Sequence, residues 1–160
     1  MKVLVAYDKF KDALSAQRAC ALTAEVLRRQ HPDWEIVEAP LTDGGEGFCP
    51  ILTRAAGGSL QQAGVHGPLQ EEREAPLGLV EMGNIQAEAL QLLDLPPVGQ
   101  LAIIEMASAS GLELVPAQQR NPWQTTTRGT GELIAAAVLA GAQSILLGIG
   151  GSATNDLGLG

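Results

Sequence analysis

A chain of 160 residues, 46% of them hydrophobic, is long enough for one domain that buries roughly 70% of its unfolded surface. Its 10 Lys and Arg stand against 18 Asp and Glu, a net charge of −8, and the cations are scattered; a nucleic-acid partner, which needs a positive patch, is not expected. Cys20 and Cys49 fall inside expected helices without CxxC or metal-ligand spacing, which reads as reduced packing thiols in a cytosolic protein.

The N-terminus, MKVLVAYDKFK, has too few apolar residues before Asp8 for a signal-peptide core, so no secretion is expected. Lys2 to Tyr7 predicts a buried strand. Ser15 then caps a helix over SAQRACALTAEVLRRQ, with Ala19, Leu22, Val26 and Leu27 on one face and arginines at its C-terminal end. WEIVEAP predicts a second strand, LTDGGEG a loop, and the stretch from Glu46 to Ala56 a helix stopped by Gly57 and Gly58. This β-α-β-α order predicts a parallel sheet with helices on its faces.

SLQQAGV and EREAPLGLV flank a Gly67-Pro68 turn and predict an antiparallel pair, so the sheet system is expected to be mixed or to continue into a second subdomain. QAEALQLL predicts a short helix stopped by Pro96-Pro97, and LAIIEMA another strand. ASASGLELVPAQQRNPWQTTT is too long for a plain turn, and long loops in compact domains are often functional. Leu133 to Gly151 has only Gln143 and Ser144 as polar members and approaches a membrane span in length. Its change from LIAAAVLAGA to SILLGIGG predicts helix then strand instead. His31 and His66 fall in expected surface turns. The fold expected is α/β: residues 1–60 as the first part of a Rossmann-like domain with a parallel sheet and helices on both faces, and 61–160 as part of a second, mixed α/β subdomain that is incomplete at its C-terminus.

In an open parallel sheet, ligands bind beyond the carboxyl ends of the strands. Asp8 and Lys9 follow the first strand, Asp43, Gly44, Gly45 and Glu46 the second, Ser108 and Ser110 the one ending near Glu105, and Gly150 to Asp156 the last. If these strands share one sheet, its edge carries carboxylates, a lysine, hydroxyls and two glycine-rich loops. That set suits phosphate chemistry: backbone N–H groups cradle the anion, carboxylates hold Mg²⁺ and a lysine offsets developing charge. Each piece also has a plainer reading. Asp43 before two glycines is equally a turn residue, Lys9 and Arg120 equally solvated cations, Thr125 to Thr127 equally a helix-capping run. Arg120 in the long loop has the fork that suits a substrate carboxylate. Gly148, Gly150 and Ala153 satisfy G-x-G-x-x-A, which keeps an NAD-dependent oxidoreductase open as an alternative, and no Lys follows the glycines as a Walker A loop requires.

Five blocks, DKFKDALSA, PLTDGGEG, IEMASASGLELVPAQQRNP, TTTRGTGELI and GIGGSATNDLGLG, resemble in order the motifs of the bacterial glycerate kinases of the type I family, and they span most of the chain. The resemblance implies ATP-dependent, Mg²⁺-assisted phosphorylation of D-glycerate to a phosphoglycerate, 2-phosphoglycerate being favoured, by a cytoplasmic enzyme with two α/β domains, an active site in the cleft between them, and no nucleic-acid or membrane partner. Site residues expected on that basis are Asp43, Asp156 and Lys9 for catalysis, and Asp8, Ser110 and Arg120 for substrate. Gly150, Gly151, Ser152 and Thr154 are expected to bind nucleotide or phosphate, and Asp43, Glu46 and Asp156 the metal. Members of the family run to more than twice this length, so the chain is expected to be an N-terminal fragment and inactive alone. VEMGNIQAEALQLLDLPPVGQ is longer than the family's usual turn, and Arg128 stands where an aromatic residue is usual. A non-catalytic nucleotide-binding module is the other alternative.

Overall fold

The computed structural model describes residues 1–11 and 13–160, which divide into two units, Met1–Asp43 and Gly44–Gly160. In the first, β1 (Lys2–Val5) and β2 (Glu35–Glu38) run parallel in register Val3 to Ile36, joined by α1 (Ala16–Gln30). Ser15 caps α1 as its sequence predicts, Oγ accepting from Arg18 N–H at 3.3 Å. Ala16, Ala19, Cys20 and Ala24 form its buried stripe, at the one-turn spacing that keeps side chains on one face. Val5 is the one buried residue of the two strands, while Leu4 of β1 and Val26 of α1 are exposed, so β1 is not the buried strand its sequence predicts.

The second unit holds α2 (Phe48–Ala55), β3 (Ser59–His66), β4 (Glu72–Glu81), α3 (Ala87–Leu92), β5 (Gln100–Glu105), α4 (Ala107–Ser110), α5 (Arg128–Leu139) and β6 (Ser144–Gly148). Its sheet has order β3-β4-β5-β6, with β3/β4 and β4/β5 antiparallel and β5/β6 parallel. The α/β class therefore holds, in mixed form. The strands do not share one sheet edge, however: β1 and β2 pair only with each other among the described residues, and the other four form a separate sheet. The Gly67-Pro68 hairpin makes the β3/β4 pair antiparallel.

Alternation along β5 places Ala102 and Ile104 in one apolar cluster with Leu77, Leu79, Leu133 and Ala137, and Leu101 and Ile103 in another with Cys49, Val80, Met82 and Leu90. Helix α5 thus covers one face, and α2 and α3 the other. Pro50 sits in the first turn of α2, where its missing N–H is not needed. Leu133 to Gly151 resolves into the body of α5, a turn and β6, and no helix among the described residues is long and apolar enough to cross a membrane.

One further local expectation is corrected, and the helix-capping run holds with its hydroxyls divided between two partners. His66 is the last residue of β3 rather than part of a surface turn; its N–H and Nδ1 both meet the Glu132 carboxylate, at 2.7 and 2.9 Å. Arg128 Nε donates to the same carboxylate at 2.9 Å, one helical turn away. Burial pushes the Glu132 carboxyl up, but the His66 and Arg128 donors outweigh it and hold it below the usual range. Thr127 does occupy the N-cap of α5, yet its hydroxyl does not cap the helix. Thr126 Oγ1 accepts from Arg128 N–H at 3.1 Å, while the Thr127 hydroxyl is directed to Asp156.

Candidate functional site

In the first unit, parallel pairing continues past the strand ends. Ala39 N–H donates to Val5 O at 2.9 Å and Leu41 N–H to Tyr7 O at 2.8 Å, so two residues further on each chain Lys9 lies beside Asp43. Lys9 Nζ meets Asp43 Oδ1 at 2.9 Å, and Asp8 Oδ1 accepts the Lys9 N–H at 2.6 Å. The lysine side chain is only 17% exposed whereas the aspartate is 58% exposed. A pair this open to water contributes about 0–1 kcal/mol to stability, while its carboxylate stays accessible to a ligand.

In the second unit, the parallel pairing of β5 and β6 sets Glu105 opposite Gly148 and brings the segments that follow together. Met106 N–H donates to Gly148 O at 2.8 Å, Leu112 N–H to Gly151 O at 2.7 Å, and Ala153 N–H to Ser110 O at 2.9 Å. Thr125 Oγ1 donates to Ala153 O at 2.7 Å, and Ser110 Oγ shares a buried 2.8 Å bond with Thr130 Oγ1. The two glycine-rich loops meet backbone to backbone, Gly150 N–H donating to Gly44 O at 2.9 Å. A Cβ on Gly150 would lie 2.7 Å from Gly45 N and 2.9 Å from Gly45 Cα, so only glycine permits the contact. Gly151 has φ +73°, and a Cβ there would meet the Glu46 carboxylate.

Two cavities flank this loop. One of about 240 Å³ is lined by Val115, Arg120, Asn121, Thr125, Ser152 and Thr154, among others. The other, of about 430 Å³, shares Ser152 and Thr154 and adds Thr130, Ile134, Leu147 and Asp156. Arg120 Nε donates to Val115 O at 3.2 Å, which fixes the guanidinium at the first cavity. Ser152 Oγ and Thr154 Oγ1 are 2.9 Å apart on the wall between the two.

The glycerate kinase family model matches residues 3–160. The chain belongs to the glycerate kinase family. It is 44% identical over 160 residues to the glycerate 2-kinase of Escherichia coli (strain K12) and to the glycerate kinase of Bacillus subtilis (strain 168), covering 100% of this chain and 38% of each relative. A crystal structure from Salmonella typhimurium LT2, of a protein assigned as glycerate kinase 2, matches with a TM-score of 0.67 and 42% identity, again over 100% of this chain and 38% of that one. The chain spans 38% of the length of these relatives.

Within this glycerate kinase family member, Asp156 carries a role its sequence did not disclose. Its carboxylate accepts Thr127 N–H at 2.7 Å, the Thr127 hydroxyl at 3.0 Å and Gly158 N–H at 3.2 Å. These bonds use most of its lone-pair directions and tie the loop after β6 to the start of α5. Burial pushes the Asp156 carboxyl up, but these donors outweigh it and hold it below the usual range. Among the described residues no group of three or more His, Cys, Asp and Glu side chains is arranged to hold a metal ion. Carboxylates are nevertheless the hard donors that Mg²⁺ takes, one or two at a time together with substrate phosphates.

Glu105, noted in the sequence only by its place, is 6% exposed and accepts Cys49 N–H at 2.8 Å. It falls on the same face of β5 as Leu101 and Ile103, the face covered by α2, so a carboxylate at that register meets the N-terminal amides of the helix. Burial and the Glu105 charge push the Cys49 thiol up to about 11, which keeps it unreactive at neutral pH. Strand parity was the signal that could have assigned Glu105. The G-x-G-x-x-A reading loses its context: the pattern requires a helix to open within it, and residues 149–160 run through turns instead.

Proposed function

We propose that this chain belongs to an ATP-dependent, cytoplasmic kinase that phosphorylates D-glycerate, with 2-phosphoglycerate as product. The observation that carries the reading is the loop from Gly150 to Asp156, bonded to Gly44, Ser110, Thr125 and Thr127 so that the Ser152 and Thr154 hydroxyls share a cavity wall with Arg120. Family membership supports the substrate class, and two unpaired cysteines suit a reducing compartment. In the reaction the acceptor hydroxyl oxygen forms a bond to the γ-phosphorus as the bond to the β–γ bridging oxygen breaks, and ADP leaves with that electron pair. The hydroxyl proton passes to Asp43, whose exposed carboxylate is held by Lys9.

Lys9 offsets the charge on the phosphoryl oxygens, Asp8 orients Lys9 through its backbone, and Arg120 takes the glycerate carboxylate by its fork. Ser110 supports the loop from beneath through its bonds to Thr130 and Ala153. Ser152, Thr154 and the Gly151 backbone receive phosphate, whereas the Gly150 amide holds the loop in place through Gly44. Glu46 is the carboxylate that would hold Mg²⁺, which leaves Asp43 to take the proton, with Asp156 anchoring the loop. Mg²⁺ supplies neutralisation of the phosphate charge. Binding oxygen-bearing groups in fixed positions is the main work required, because phosphoryl transfer is accelerated chiefly by placement and electrostatics.

The test is ADP release by the full natural reading frame containing this segment, with Mg-ATP and D-glycerate, beside L-glycerate, glycolate and no acceptor. Release that requires D-glycerate, with phosphorus NMR showing phosphate on the 2-hydroxyl, is the expected result. Nucleotide binding by folded protein without acceptor-dependent release would replace the kinase with a binding module.

A further inference from the structure

The residues Ser152 and Thr154 line both cavities of the second unit, so the short segment between them is a partition. Its position is held from both sides: Ala153 N–H donates to Ser110 O, and Ala153 O accepts from the Thr125 hydroxyl. Thr154 N–H also donates to Ser152 Oγ, which points the two hydroxyls at each other across the turn.

The chambers differ in size and chemistry. The smaller, about 240 Å³, lies below the roughly 300–1,000 Å³ usual for clefts that take drug-sized ligands, and the larger, about 430 Å³, lies within it. Among the described residues, Arg120 is the one charged side chain lining the smaller chamber and Asp156 the one charged side chain lining the larger, whose rim also includes Gly158 and Gly160. A small carboxylate is matched by the first. Asn121 Oδ1 accepts from Trp123 N–H at 3.1 Å, which leaves its NH₂ to donate to an oxygen-rich guest. The larger chamber instead offers Ile134, Leu147 and Leu157 as apolar surface, beside the hydroxyl of Thr130 and an Asp156 carboxylate already supplied with donors.

We propose that the partition separates two guests: the three-carbon hydroxy acid in the smaller chamber, selected by Arg120, Asn121 and Thr125, and the nucleoside end of ATP in the larger, against Ile134 and Leu147. The phosphoryl chain then runs past Ser152 and Thr154, where the two guests come closest. This assignment rests on the kinase reading above and adds to it the residues that separate the KM for the acid from the KM for ATP. Asn121 and Thr125 are thereby specificity residues for the acceptor. Thr125 both faces the acid and holds the partition through Ala153.

The experiment uses the full natural reading frame and measures KM for D-glycerate and for ATP separately, with thermal unfolding of every variant. Arg120→Ala raises KM for D-glycerate about 10–100-fold, the loss expected for a charge-assisted hydrogen bond, and leaves KM for ATP within twofold. Arg120→Lys recovers only part, because the fork is lost. Asn121→Asp, which places a negative charge beside the acid, raises KM for D-glycerate by tenfold or more and leaves ATP unaffected. Ile134→Ala shows the reverse, a severalfold rise in KM for ATP alone. If the wild type is active but Arg120→Ala and Asn121→Asp raise KM for ATP instead, or Ile134→Ala raises KM for D-glycerate instead, the kinase stands and the chamber assignment falls. If the folded wild type releases no ADP with D-glycerate, the kinase reading itself falls and takes the assignment with it.

Discussion

The two parallel strand pairs place their polar residues under opposite constraints. Beyond β1 and β2, Lys9 and Asp43 form a pair with an exposed carboxylate in a unit whose buried residues are mostly small. At and beyond the ends of β5 and β6, Glu105 and Ser110 are buried and the Gly150 amide is half-buried, each bonded to backbone or to another buried group. β5 is buried on both faces, so a polar group at its end must be satisfied within the protein, whereas the Asp43 carboxylate beside the end of β1 is 58% exposed and keeps access to water. Chemistry and stability should therefore separate in the first unit and be entangled in the second.

The strongest way to break that contrast is Asp43→Asn in the complete protein. Turnover is expected to fall roughly 10²–10⁴-fold, the usual contribution of a general base, while the stability obtained from urea titration changes by no more than about 1 kcal/mol. Unchanged kcat would remove the proton-acceptor role and leave Asp43 as a turn residue. Next in size is Gly150→Ala, where the new Cβ meets Gly45 backbone. A loss of about 1–3 kcal/mol, read by denaturant titration, should accompany lost turnover. Glu105→Ala is expected to cost about 1–3 kcal/mol at most by stranding the Cys49 N–H, with Glu105→Gln recovering most of it because an acceptor returns. Equal stability of the Ala and Gln variants would mean that this carboxylate is not what holds the start of α2.

The smallest effect is a sharpening in pH. The Asp156 carboxyl lies below its usual value in the folded state, so its contribution is fully present above the unfolded carboxylate value, about 3.9, and is lost as pH falls through the depressed one. Acid unfolding curves of Asp156→Asn should lack that part of the slope below about pH 4 and coincide in shape with the wild type above about pH 5. Identical acid limbs would show that the Thr127 and Gly158 bonds do not persist in solution.

Much of the fold was legible because it follows from local pattern. Ser15 before an amphipathic run, Gly57-Gly58 after one, and Gly67-Pro68 between two strands state their own geometry. The candidate site was legible as a set of strand-end residues and family motifs, but not as partnerships. Asp156 read as a metal or catalytic carboxylate, and the structure shows it accepting from Thr127 and Gly158. Likewise His66 read as a turn histidine, while its partner Glu132 lies far along the chain on α5.

By itself, then, the order of residues determined the elements, the hairpin, the glycine loops and the family, since each depends on backbone preference and on spacing within a few residues. Only the tertiary structure decided that the four parallel-paired strands belong to two sheets and that Gly150 is locked to Gly44. It also decided that Glu105 closes the N-terminus of α2, and that Ser152 and Thr154 stand between two cavities. Those facts are contacts between distant segments, fixed by which faces bury together and which hydrogen-bonding groups lose their water, and no local preference encodes them.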